Sequence, residues 1–136
     1  MLFTTRTTLG LALATLGAIR AQAQEPQRPQ APTVEYRQLA PGVLASAKPL
    51  FTSDSLPGYT LEVIDLVLGP NQNAERVPLE GFALLELRAG VAQVTINGTA
   101  TRREAGAHWF VPRGAQFAIR NLAEVTMIRA TVFRPR

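Results

Sequence analysis

VAQVTINGTATRR, residues 91–103, contains the pattern that decides the fold. Two runs of alternating apolar and polar side chains, 91–96 and 99–103, flank the pair Asn97-Gly98. A two-residue type I′ turn needs positive φ at both central positions, and Asn-Gly is the pair that best supplies it. The stretch therefore predicts a tight β-hairpin.

The two-residue period recurs upstream of the hairpin, most clearly over Tyr59–Leu68. One face of this predicted strand carries Asp65 and the other carries Glu62, and most of the remaining side chains of both faces are apolar. The apolar residues are Leu61, Val63 and Val67 on the first face and Ile64, Leu66 and Leu68 on the second. Because both faces are mostly apolar, we expect both to be covered, as in a sandwich or barrel.

Further short strands are predicted at 82–88, 108–111, 117–120 and 125–133, separated by Gly, Pro and Asn residues. Glu86 and Arg88 alternate in the first of these, and we expect both to be solvated at a sheet edge. No segment keeps a 3.6-residue apolar period over a helix length. About eight to ten short strands with frequent turns predict an all-β sandwich or barrel.

The first 23 residues have the order of a bacterial secretory signal peptide, with Arg6, an apolar run at 9–19 and the small-residue site Ala21-Gln22-Ala23. The apolar run is shorter than the roughly 20 residues that a membrane-spanning helix needs. We therefore expect a periplasmic or secreted protein with no stable membrane insertion once the signal is cleaved. The alternative is an uncleaved N-terminal anchor.

Residues 24–33, QEPQRPQAPT, are rich in Gln and Pro and almost free of large apolar side chains. Such a segment cannot bury surface, and we expect a flexible or polyproline-like arm. The expected organisation is thus a signal peptide at 1–23, an arm at 24–33 and one β-barrel domain at 34–136.

The composition excludes several classes of function. The chain has no cysteine, so it forms no disulfide and carries no thiol chemistry. Its formal net charge is +4, but the basic residues are scattered and do not alternate with aromatic residues. This pattern predicts no nucleic-acid partner.

Between residues 41 and 133 the chain resembles the cupin superfamily. The first cupin motif has a Gly-Pro or Pro-Gly turn, then H-x-H, a Glu and a closing Gly; here Gly69-Pro70, Gly81 and Gly90 match its backbone-setting positions. The second motif reads G-D-x-x-x-x-P-x-G-x-x-H-x-x-x-N. Its matching residues here are Gly106, Pro112, Gly114 and Asn121. The resemblance implies a single jelly-roll barrel, and it also implies a homodimer formed through strands near the N-terminus, here residues 34–51.

In this register the positions of the family's metal ligands hold Val77, Leu79, Ala83 and Phe117. Catalytic metals need imidazole nitrogen or carboxylate oxygen, which none of these side chains has. Moving the first motif back by two residues would supply Glu75 alone. We therefore expect no metal and no other cofactor, unless the register is wrong and the protein is a metal-dependent cupin.

The same four residues are the candidate binding positions. Val77 and Leu79 are two apart and would share one face of a strand. The resemblance implies that Ala83 and Phe117 join them inside the barrel. Two interpretations remain open, a solid apolar core and an apolar ligand cavity.

Three polar residues are further candidates. Asp65 and Arg129 each lie among apolar neighbours, where a charge needs a partner. The resemblance makes their strands neighbours, which predicts a cross-strand ion pair; the alternative is that Arg129 anchors a polar ligand. His108, the only histidine, is predicted to be a surface or hydrogen-bonded residue, and it is a weak catalytic candidate together with Asp65.

These observations predict an exported, metal-free cupin-like protein without enzymatic activity, which binds a small apolar or mixed molecule or serves as a scaffold. A metal-independent isomerase or epimerase is the main alternative. It would draw its acid–base groups from His108, Asp65 or Glu62, with Arg129 holding an anion. A structural partner in a larger secreted complex is a third possibility.

Overall fold

Two antiparallel sheets make up the structure described here, a computed structural model that describes residues 33–136. The predicted signal peptide, and the predicted arm apart from Thr33, lie outside the described residues. No helix of the described part is long and apolar enough to cross a membrane.

Eleven strands are present in residues 33–136. They are β1 Tyr36–Ala40, β2 Val43–Ser46, β3 Phe51–Ser53, β4 Tyr59–Leu68, β5 Asn73–Ala74, β6 Phe82–Ala89, β7 Val91–Ile96, β8 Thr99–Glu104, β9 His108–Val111, β10 Phe117–Asn121 and β11 Thr126–Pro135. The prediction of an all-β jelly roll is confirmed. Strands near the N-terminus were expected only as a region, residues 34–51, without the bounds of β1, β2 and β3, and the two-residue strand β5 was not predicted.

The larger sheet has seven strands in the order β1-β2-β4-β11-β6-β9, with β3 also paired to β4. The smaller sheet has the order β5-β10-β7-β8. Strands distant in sequence become neighbours at the centre of the larger sheet, where β11 pairs with β4 from Thr126↔Leu68 to Pro135↔Tyr59. These long-range pairings bring the N-terminal strands, β4 and the last strand into one surface.

The predicted hairpin is confirmed as β7 and β8. The two strands pair from Val91↔Glu104 to Ile96↔Thr99. Asn97 and Gly98 form the turn with φ of 48° and 83°, the left-handed values that the Asn-Gly pair predicts.

The core lies between the inner faces of the two sheets. Leu66 and Leu68 on β4, Leu85 and Leu87 on β6, and Ile128 on β11 are fully buried there. Burying a side chain of this kind contributes about 1.5–3 kcal/mol, so the sandwich is held together mainly by apolar burial.

Asn121 is buried and fixes the connections at one end of the barrel. Its Nδ2 donates to the carbonyl oxygens of Leu68, Gly69 and Glu124 at 3.3, 2.7 and 3.2 Å. Its Oδ1 accepts from the Thr126 hydroxyl at 2.6 Å and from a backbone N–H. The last residue of the second motif therefore ties the Gly69-Pro70 turn of the first motif to the loop before β11.

One expectation about exposure and one about the position of a strand are wrong, whereas the side chains of Arg88 and Glu86 are 46% and 37% exposed and thus solvated as expected. The face of β4 that carries Leu61, Val63 and Val67 is only half-buried, because it lies on the outer side of the larger sheet. Glu86 does not lie at a sheet edge, since β6 is paired on both sides, with β11 and with β9. The outer face of the larger sheet is thus more apolar and more open than the alternation pattern predicts.

Candidate functional site

Three of the four residues that the cupin resemblance aligned with metal ligands lie in the buried core. Val77, Ala83 and Phe117 belong to one cluster of buried side chains, and Phe117 is among its largest fully buried members. The backbone N–H of Val77 donates to the carbonyl of Phe117 at 2.8 Å. Ala83 lies on the inner face of β6, opposite Val132 on β11. The centre of the barrel is lined by hydrocarbon at these positions.

Leu79 is placed differently from this group. The segment 77–79 forms no strand, contrary to the expectation, because Pro78 has no N–H to donate to a ladder. Val77 enters the core, whereas Leu79 is half-buried and packs against the core margin. Leu79 therefore borders open space instead of the barrel centre.

The residues present do not fit a metal ion. None of the four side chains has a nitrogen or oxygen donor, and divalent metals in proteins need such donors. Within residues 33–136 no group of three or more His, Cys, Asp or Glu side chains lies close enough to hold a metal.

An open groove of about 340 Å³ lies beside Leu79, between β1–β2 and the segment 78–80. Its apolar floor comes from the inner faces of three strands and from Leu79. The floor residues are Leu39, Ile64, Leu79 and Val132. Charged side chains surround this floor: Arg37, Glu62, Glu80 and Arg134. We call this space the Leu79 groove.

The charges around the Leu79 groove are unequally paired. Arg134 forms an ion pair with Glu62, and its Nη1 also donates to Glu80 Oε2 at 2.9 Å. Among the described residues, no carboxylate lies within ion-pairing distance of the Arg37 guanidinium. Within residues 33–136, the groove thus combines an apolar floor with an exposed guanidinium, that of Arg37, which has no carboxylate partner.

The predicted ion pair between Asp65 and Arg129 is confirmed. The two residues are direct partners across β4 and β11, with Nε–Oδ1 at 2.9 Å and Nη2–Oδ2 at 3.2 Å. The hydrogen bond that Arg129 donates to the Asp65 carboxylate raises the pKa of Arg129, burial opposes this rise, and the nearby charge of Asp65 adds to it. The pair lies on the outer face of the larger sheet, away from the Leu79 groove.

His108 also lies on the outer face, at the start of β9. Its Nδ1 donates to the carbonyl of Gly106 at 3.0 Å, and its Nε2 lies 3.8 Å from Glu86 Oε2. The ring is more than half exposed, and it does not line the Leu79 groove.

The acid–base candidates are therefore not gathered in one site. Asp65 and His108 lie on the outer face with two strands between them, and Glu62 lies at the groove, where it is paired with Arg134. The residues that sequence reasoning missed are Arg37, Glu80 and Arg134. For Arg37, the available sequence signal was its alternation with Tyr36 on β1. The charges of Arg37, Glu80 and Arg134 are brought together only by the pairing of strands that are distant in sequence.

No protein-family model matches the sequence, and no curated protein is similar enough to count as a relative. Several solved structures share the fold. The cupin domain of Cnp3 from Schizosaccharomyces pombe is 19% identical over 77% of this chain and 71% of its own, with a TM-score of 0.57. A predicted oxalate decarboxylase from Thermotoga maritima is 18% identical over 76% and 93%, with a TM-score of 0.59. An RmlC-like cupin from Shewanella frigidimarina is 10% identical over 79% and 92%, with a TM-score of 0.55.

The domain is a jelly roll of two antiparallel sheets, and the four residues that the cupin resemblance aligned with metal ligands carry hydrocarbon side chains. Its topology and these structural neighbours define it as a cupin fold.

Proposed function

We propose that the protein is an exported, metal-free cupin-like protein that binds a small molecule of mixed apolar and anionic character in the Leu79 groove. The observation that carries the proposal is that hydrocarbon fills the usual ligand positions, while an open groove with an apolar floor and an exposed cation lies beside them.

The centre of the barrel supports the metal-free part of the proposal. Phe117 and Ala83 are buried within the core cluster, and neither carries a donor atom. A metal ion there would lose its hydration shell without gaining ligands, which is strongly unfavourable. Binding is therefore moved from the barrel centre to its margin.

The dimensions and chemistry of the groove support small-molecule binding. Ligand pockets range over roughly 300–1,000 Å³, and they are mostly apolar with a few polar groups that orient the ligand. The groove, at about 340 Å³, lies at the lower end of this range. Its floor would take a short hydrocarbon group, and Arg37 would pair with a carboxylate or phosphate at one end.

Nuclear magnetic resonance titrations with octanoate, and with octanol as an uncharged control, test the binding proposal. We expect saturable shifts at Leu39, Ile64 and Leu79, with octanoate binding more tightly than octanol. Leu79→Trp should abolish the binding of octanoate and of octanol, because the indole fills the groove. Arg37→Gln should weaken the binding of octanoate alone. A matched Arg102→Gln variant on the exposed hairpin should change neither. Shifts confined to other surfaces, or an Arg37→Gln variant that binds octanoate normally, would contradict the proposal.

Two further measurements test the remaining parts. Elemental analysis of the purified protein should find far less than one transition-metal ion per chain, and stoichiometric metal would overturn the metal-free proposal.

Fractionation of the source cells should find the protein outside the cytoplasm with Gln24 at its N-terminus. A cytoplasmic protein that retains residues 1–23 would overturn the proposed export.

A further inference from the structure

A row of polar side chains crosses the outer face of the smaller sheet. Asn73 on β5 is the register partner of Arg120 on β10, which pairs with Gln93 on β7, which pairs with Arg102 on β8. Direct cross-strand partners project from the same face of a sheet. The row therefore presents two guanidinium groups and two carboxamides side by side, and we call these four residues the Arg120 row.

The positive charge of the Arg120 row is not neutralised within the row. Among the described residues, no carboxylate lies within ion-pairing distance of Arg120, which is exposed. Arg102 reaches Glu104 on its own strand at 3.7 Å, in an ion pair whose side chains are 66% and 71% exposed. On the larger sheet, by contrast, Arg129 donates two hydrogen bonds to its direct partner Asp65. Like charges close together on a sheet face oppose folding, and an anion that binds between them relieves this cost.

Small side chains lie beside the Arg120 row. The next set of register partners is Ala118 on β10, Thr95 on β7 and Ala100 on β8. Ala118 and Thr95 line an open trough of about 240 Å³, which is bordered by three members of the row, Asn73, Gln93 and Arg120. Because these short side chains rise little above the backbone, a flat ring can approach the sheet closely at this point.

The size of the trough limits how much of a ligand it can hold. Enclosed ligand pockets range over roughly 300–1,000 Å³, and the trough is smaller and open. It therefore suits one unit of a longer ligand whose other units lie along the sheet face. Neighbouring strands lie about 4.8 Å apart, so the Cα atoms of Arg120 and Arg102, with one strand between them, are roughly 10 Å apart. A ligand that reaches both guanidinium groups must extend across the strands.

The side chains around the trough combine positive charge with both kinds of hydrogen-bonding group. The carboxamides and the Thr95 hydroxyl donate and accept, whereas the guanidinium groups only donate. Glu75, which directly follows β5, also lines the trough, and its carboxylate only accepts. This carboxylate repels a ligand that carries anionic groups alone, but it can accept a hydrogen bond from a hydroxyl group. The ligand therefore needs hydroxyl groups as well as anionic groups.

We propose that the trough and the Arg120 row bind a linear acidic saccharide, a chain of sugar rings that carry hydroxyl and carboxylate groups. One ring lies over Ala118 and Thr95 with its carboxylate on Arg120. A planar guanidinium matches the two oxygens of a carboxylate, which suits arginine to this role. Gln93 binds hydroxyl groups, and Arg102 pairs with a later ring. None of the described residues that line the trough is aromatic, so the bases of a nucleic acid would find no stacking partner.

Calorimetric and nuclear magnetic resonance titrations of the purified protein with hexagalacturonate test the proposal. The fully methyl-esterified hexamer is the matched uncharged control, because it keeps the rings but has no carboxylate. We expect saturable shifts at Gln93, Thr95 and Ala118, and binding of the ester that is at least about tenfold weaker. Added salt should weaken the binding of hexagalacturonate, because it screens exposed charges.

Variants locate the binding site. Arg120→Gln should raise the dissociation constant for hexagalacturonate at least about tenfold. Ala118→Trp should abolish binding, because the indole fills the trough, and circular dichroism checks that the fold survives. Arg88→Gln makes the same change of charge on β6 of the larger sheet and should leave binding unchanged. Leu79→Trp should also leave it unchanged, since the trough and the Leu79 groove share no lining residue.

Tripolyphosphate, an anion without rings, separates recognition of a saccharide from simple attraction of charge. We expect it to bind at least about tenfold more weakly than hexagalacturonate. Equal binding of tripolyphosphate or of the methyl ester would overturn the proposal. So would shifts confined to the larger sheet, or an Arg120→Gln variant that binds hexagalacturonate normally. The absence of saturable binding of hexagalacturonate would overturn it as well.

Discussion

Val77 and Phe117 are joined by a backbone hydrogen bond, in which the N–H of Val77 donates to the carbonyl of Phe117 at 2.8 Å. The cupin resemblance aligned both residues with the family's metal-ligand positions, and both side chains are buried in one core cluster. The irregular segment that contains Val77 is therefore held to β10 by the main chain and by apolar contact. No metal is needed to close this part of the barrel.

Removing the largest of these core side chains tests that conclusion. Phe117→Ala should lower the free energy of unfolding by about 3–5 kcal/mol, because it leaves a cavity in a fully buried cluster. Urea denaturation followed by circular dichroism measures the loss. Leu122→Ala, at an exposed site, is the matched truncation and should cost less than about 1 kcal/mol. A small loss in Phe117→Ala would mean that the centre is not tightly packed.

The ion pair between Asp65 and Arg129 should respond asymmetrically to truncation. The Asp65 side chain is 10% exposed and that of Arg129 is 37% exposed, so water can rescue the guanidinium better than the carboxylate. Arg129→Ala should therefore lower the free energy of unfolding more than Asp65→Ala does. We expect the loss in Asp65→Ala to be about 1 kcal/mol.

A double-mutant cycle measures the coupling within this pair. We expect the Asp65→Ala/Arg129→Ala variant to lose less stability than the sum of the two single variants. Glu104→Ala removes a solvent-exposed ion pair with Arg102 and should leave stability unchanged within error. Strict additivity in the cycle would show that the two hydrogen bonds contribute nothing.

Local patterns in the sequence were sufficient for the hairpin and the long strands, whereas the Asp65–Arg129 pair also needed the neighbouring strands that the cupin resemblance implies. Asn97-Gly98 specifies its own turn, and two charges on apolar strand faces each require a partner. The Leu79 groove could not be predicted in this way, because its charges come from β1, β4, the loop at 78–80 and β11. The openness of the outer face was missed for a related reason. Alternation shows that Leu61 and Val63 share a face, but it does not show which face meets the second sheet.

Asn121, the last residue of the second motif, provides a test of the structural role of the motif. Asn121→Ala removes every hydrogen bond of the buried amide and leaves three carbonyl groups without this donor. We therefore expect the free energy of unfolding to fall by about 3 kcal/mol. Asn121→Asp should also destabilise, because a carboxylate cannot donate to those carbonyls. The control is Gln38→Ala on the exposed side of β1, which should lie within about 0.5 kcal/mol of the parent. Equal stability of Asn121→Asp and the parent would exclude the proposed donor role.

Gly69 and Gly81, which lie directly before and after residues 70–80, should differ sharply in their tolerance of a side chain. A Cβ at Gly81 would collide with the carbonyl oxygen of Phe133, which belongs to the backbone of β11 and cannot rotate away. At Gly69 a Cβ would meet nothing within 4 Å. Gly81→Ala should therefore lower the free energy of unfolding by about 3 kcal/mol or more. Gly69→Ala should leave stability unchanged or slightly higher, because alanine restricts the unfolded chain. Parallel urea titrations give both values, and similar losses in the two variants would show that close approach to β11 does not explain the glycine at position 81.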